Sequence, residues 1–115
     1  MADSSPKPTK PAAAPSGSRA SLDYVQSLIV GARQDTSRSK VLARTVLDSA
    51  RAMVPRLESR EDVVEMGVYT VAAYLLLEQK SDACLMLGSI GTEALQMQKF
   101  AAQVRLWNER LDCKE

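Results

Sequence analysis

Between Glu65 and Glu78 the chain carries no charge, and this stretch constrains the fold more than any other. At about 100° per residue on a helix, residues 66–77 cover the whole circumference. Their polar groups are Tyr69, Thr70 and Tyr74. A helix that is apolar all round must be buried all round. At about 1.5 Å of rise per residue the run is about 18 Å long, too short to span a bilayer core of about 30 Å. It therefore reads as the central helix of a small core.

The remaining pattern supplies its neighbours. A first helix is expected over 22–34, capped by Ser21, with Leu22, Val25, Ile29 and Ala32 at helical spacing. A second is expected over 37–54, capped by Asp35 or Thr36. Its stripe is Leu42, Val46, Ala50 and Met53, flanked by Ala43, Leu47 and Val54, and Pro55 ends it. Lys40, Arg44, Asp48 and Arg51 lie opposite that stripe. The central helix is expected over 60–80. Ser59 and Asp62 form a capping box, with acids near the positive end of the helix dipole. A fourth helix is expected as one long element over 82–111, because a seven-residue rhythm runs through Ala83, Leu87, Ile90, Ala94, Met97, Ala101, Val104, Asn108 and Leu111. Met86, Phe100 and Trp107 widen that face beyond a simple seam, which suits a globular bundle.

The expected fold is all-α. It is a small four-helix bundle-like domain over 21–115, with a long C-terminal antiparallel helical hairpin. A disordered tail over 1–20 precedes it, carrying Pro6, Pro8, Pro11 and Pro15 among Ser, Ala and Lys. Gly67, Ala72 and Ala73 on the third helix, with Gly88, Gly91 and Ala94 on the fourth, would let the two approach closely. Residues 74–95 loosely resemble a tetratricopeptide helical pair, with Ala83 and Gly88 at small-residue positions. No second copy follows at a fixed period, and a solenoid needs several, so no family is assigned.

Catalytic chemistry has little to draw on. The chain contains no histidine, which removes the commonest general base and a major metal ligand. The two cysteines, Cys84 and Cys113, make neither a zinc cluster nor a disulfide framework. They read as reduced thiols of an intracellular, cytoplasmic protein. Gly88, Ser89, Ile90 and Gly91 lack the lysine and the preceding strand of a phosphate-binding loop. Glu61, Asp62 and Glu65 sit at a helix start, where capping explains them. The chain is read as a non-enzyme without metal or cofactor.

Two binding readings follow. Three neighbours are too few to enclose the third helix, so an open face is expected to associate with a second copy or another protein. The candidate interaction residues are Val68, Val71, Leu75, Ile90, Met97, Phe100 and Trp107. Large aromatics such as the last two serve as interface anchors or as ordinary core. The alternative is a nucleic-acid-binding accessory or viral structural protein. Residues 1–57 hold nine Lys/Arg against four Asp/Glu, while 58–115 hold six against ten. Arg38, Lys40, Arg44 and Arg51, with the basic tail, are the candidate phosphate contacts. The same asymmetry permits head-to-tail self-association, basic half to acidic half.

Overall fold

The computed structural model describes residues 17–113. They form five α-helices and no strand: α1 Gly17–Gln34, α2 Ser39–Met53, α3 Arg60–Leu76, α4 Lys80–Leu95 and α5 Gln98–Leu111. A 3₁₀ turn, Val54–Arg56, closes α2 where Pro55 was expected to end it. The all-α, bundle-like fold is as expected, but with five helices among the described residues where the sequence suggested four. Residues 1–16 of the expected 1–20 tail lie outside the described residues. Residues 17–20 belong to α1, so Ser21 is an internal residue and not a cap.

Tertiary contacts explain the early start of α1. Ser18 is buried, and its hydroxyl accepts the Glu58 backbone N–H at 3.1 Å. Arg19 reaches Asp23 and Glu65. Leu22, Val25, Ile29 and Ala32 then line the core face, as the spacing implied. Helix α2 starts after the two expected caps. Asp35 instead organises the preceding turn, accepting from the Ser37 hydroxyl at 2.6 Å and the Ser37 N–H at 3.1 Å. Those bonds hold its carboxyl below the usual carboxylate range. At α3 the Ser59 half of the expected capping box is present: Ser59 Oγ accepts from the Asp62 N–H at 3.1 Å.

Helix α3 ends at Leu76, four residues short of the expected 80, and Glu78 turns the chain with φ 62°. Gln79 N–H donates to the Tyr74 carbonyl at 2.8 Å across that left-handed residue, closing the helix end. Helix α4 returns antiparallel. Gly67 permits their close approach, because a Cβ there would stand 3.0 Å from Ile90 Cγ2. Arg60 at the start of α3 grips Glu93 near the end of α4 with two bonds, 2.8 and 2.6 Å.

The single long fourth helix is the main correction. The chain breaks at Gln96 and Met97, with Met97 extended (φ −95°, ψ 113°), and α5 folds back along α4. No proline or glycine marks the place. The gain is tertiary. A straight helix would carry Phe100, Val104, Trp107 and Leu111 away from the core, whereas the fold-back buries all four. Burial is worth roughly 1.5–3 kcal/mol for each large apolar side chain. The interrupted helical hydrogen bonds cost about 1 kcal/mol each, net. The break also resets the buried face. Ala83, Leu87, Ile90 and Ala94 keep the predicted rhythm, but beyond it Phe100 and Trp107 replace Ala101 and Asn108 in the core.

With five helices the supply problem disappears. Residues 64–73 of α3 are all buried, Val71 at 0% exposure, while Tyr74, Leu75, Leu76 and Leu77 are half-buried. The chain thus encloses residues 64–73 of its apolar helix and leaves the last turn partly open.

Candidate functional site

Helix α3 has one side closed by charge and another left open. The closed side centres on Glu65, 3% exposed although it is an acid. Its carboxylate accepts from Arg19 of α1 at 2.7 and 3.3 Å, from the Tyr69 hydroxyl at 2.6 Å and from Lys99 Nζ of α5 at 3.1 Å. Burial pushes the Glu65 carboxyl upward, but these three donors outweigh it and hold the group below the usual carboxylate range. Burial and the bond to Glu65 together push the Tyr69 hydroxyl well above its ordinary value, and Glu65 raises the Arg19 guanidinium. Tyr69 also meets Phe100 edge-on at 6.2 Å, and Lys99 lies 5.1 Å from the Phe100 ring centre. Glu65 is thus not a capping acid. It ties α1 and α5 to α3, with its acceptor capacity filled by those donors.

The open side is a groove of about 320 Å³. Thr70 and Tyr74 of α3 line it together with Leu47, Ala50 and Arg51 of α2, Val54 and Pro55 of the following turn, and Met86 of α4. Helix spacing places Leu47, Arg51 and Val54 along one strip of α2, which continues into the outward strip of Lys40 and Arg44. Thr70 satisfies itself by donating to the Met66 carbonyl at 2.9 Å. Arg51 is exposed and pairs with no described acid. The result is an apolar trough with one guanidinium on its rim. Nothing in its lining is a nucleophile held by a base. Among the described residues no group of acids and cysteines is placed to hold a metal ion.

The candidate interaction residues fall mostly inside the molecule. Val68, Val71, Ile90, Phe100 and Trp107 are buried in the core, and Leu75 and Met97 are half-buried. Trp107 is buried and shares the lining of a small cavity with Arg33 of α1 and Ala72, Leu75 and Leu76 of α3. None of the seven lines the groove. The groove residues were legible as α2's flanking positions, Leu47 and Val54, and as the polar exceptions Thr70 and Tyr74, but nothing local said that they converge.

The basic candidates do lie outward. Arg38, Lys40, Arg44 and Arg51 are all exposed; the Arg38 charge helps to hold the Asp35 carboxyl down, and the other three form no ion pair with a described acid. Asp48 is exposed on the same helix. Asn108 is exposed and borders a second, more polar cleft between α4 and α5.

The cysteines need correcting. Cys84 and Cys113 are disulfide-bonded, with Cα atoms 5.4 Å apart. On an unbroken helix they would stand about 40 Å apart at 1.5 Å per residue; the fold-back of α5 brings them together. No helix among the described residues is long and apolar enough to cross a membrane. Comparison of the chain with family models, curated proteins and solved structures found no match in any of the three.

Proposed function

We propose that the chain is a non-enzymatic helical interaction module that assembles with copies of itself, and that the groove between α2, α3 and α4 is its working surface. The observation that carries this reading is the groove: a preformed apolar trough over α3, edged by Arg51, whose charge meets no described acid. The buried Glu65 on the other side of α3, by contrast, already has its donors in Arg19, Tyr69 and Lys99. Light scattering on the full chain across rising concentration tests the reading. Growth of the weight-average mass above one chain supports it, and a monomer at every concentration up to several hundred micromolar contradicts it.

A second reading, nucleic-acid binding, is favoured by the exposed strip of Arg38, Lys40, Arg44 and Arg51. It predicts duplex binding that weakens steeply with salt and with Lys40, Arg44 and Arg51 changed to alanine. Absence of binding at low salt opposes it. For the compartment, a Cys84–Cys113 bond that forms and persists in cells favours an oxidising location, whereas reduced thiols favour the cytoplasm. Alkylation of intact cells followed by mass spectrometry of the two cysteines distinguishes these.

A further inference from the structure

Among the large apolar residues the structure describes, Leu85 is the most exposed, at 75%. It stands on the outer ridge of α4, opposite the core residues Ala83, Leu87, Ile90 and Ala94. Asp82, one turn earlier on the same ridge, is exposed and pairs with no described base. Gly88, one turn later, is open, since a Cβ there would meet nothing within 4 Å. A backbone can approach this ridge closely. The ridge offers what the groove lacks: a projecting leucine with a carboxylate one turn away, set against an apolar trough with a guanidinium on its rim.

We propose that the groove takes the α4 ridge of a second copy of this chain, Leu85 seated among Leu47, Val54 and Met86, and Asp82 facing Arg51. This rests on the self-assembly reading above and specifies its geometry. Charge complementarity selects the occupant. The α2 wall and its approach carry Lys40, Arg44 and Arg51 against Asp48, whereas the start of α4 brings Glu78 and Asp82 against Lys80. The contact is head-to-tail. Leu85 and the groove-lining Met86 are successive residues, about 100° apart on one helix. Ridge and groove are therefore different patches of the surface, and the contact pairs unlike faces. Such an interface forms a ring where the rotation from copy to copy closes, and an open filament where it does not.

Complementary variants test this in the full chain. Leu85→Asp leaves the groove intact and spoils the ridge; Arg51→Glu leaves the ridge intact and sets a like charge against Asp82. Both positions are exposed, and circular dichroism and thermal melting are to be used to check that each variant is folded. Each variant alone is expected to associate at least tenfold more weakly than the wild type. An equimolar mixture is expected to form a one-to-one dimer and to stop there, because it contains one working ridge and one working groove. Wild-type assembly that persists unchanged in both variants overturns the geometry but leaves the self-assembly reading standing. So does a mixture no more associated than its components. A wild-type chain that is monomeric throughout overturns both.

Discussion

The two sides of α3 solve one problem differently. At Glu65 the helix meets α1 and α5 through a buried carboxylate whose donors are Arg19, Tyr69 and Lys99. At Thr70 and Tyr74 it meets a trough whose cation, Arg51, has no described counter-ion. On one side the chain supplies the counter-charges itself; on the other, Arg51 stands at the edge of apolar surface without a described acid. A fully satisfied polar network fixes structure, whereas an unmatched charge beside apolar surface is available for binding at little cost to the fold. The account therefore expects stability to be sensitive on the closed side and association to be sensitive on the open one.

The largest effect should come from the clamp that keeps α5 in place. Cys113→Ser removes a cross-link spanning 29 residues of sequence. The loop-entropy estimate for that length is about 3.5 kcal/mol of unfolding stability. Chemical denaturation of wild type and variant checks it; a loss below about 1 kcal/mol would mean that burial of Phe100, Val104 and Trp107 holds α5 without the bond.

Next is Glu65→Gln, expected to cost about 2 kcal/mol at neutral pH through loss of charge-assisted hydrogen bonds. The partners Arg19 and Lys99 are about half exposed and turn to water, which limits the damage. The pH dependence has a definite sign. The folded Glu65 carboxyl lies below the unfolded value of about 4.3, so its contribution is complete above that pH and fades as pH falls through the folded value. Denaturation from pH 7 to pH 2 should show a shallower acid loss in Glu65→Gln than in wild type. Parallel curves would remove Glu65 from the closed side.

A smaller, stabilising change is expected where α3 ends. Glu78 holds φ 62° without being glycine, and Glu78→Gly should add about 1 kcal/mol by relieving the left-handed backbone. A fall in melting temperature would contradict that. The smallest effect belongs to the open side: Arg51→Ala should change monomer stability by less than about 0.5 kcal/mol. A larger loss would give Arg51 a structural role and blur the contrast.

Most of the closed core was legible from spacing. Leu22, Val25 and Val46 follow helical periodicity, and Ser59 with Asp62 announces the start of α3; Val71, expected on an interaction face, is core instead. The break at Gln96 and Met97 was not, because these are ordinary helix-forming residues and the force that bends the chain comes from burying Phe100 and Trp107 far along it. Three further misses follow from that one: the enclosure of α3, the pairing of Cys84 with Cys113, and the meeting of Lys99 with Glu65. The basic strip of α2 was visible as a strip. Its place on the rim of a groove was not, since Tyr74 and Met86 come from other helices and no local pattern encodes their convergence.

Amide hydrogen exchange on the full chain at low and high protein concentration tests most directly the claim that α3 is closed on one side and completed by another copy on the other. The account predicts added protection at high concentration in residues 50–58 and 80–89, which carry the groove wall and the ridge, with α1 and α5 unchanged. Protection that does not depend on concentration, or that rises in α5 and around Glu65 instead, would contradict it.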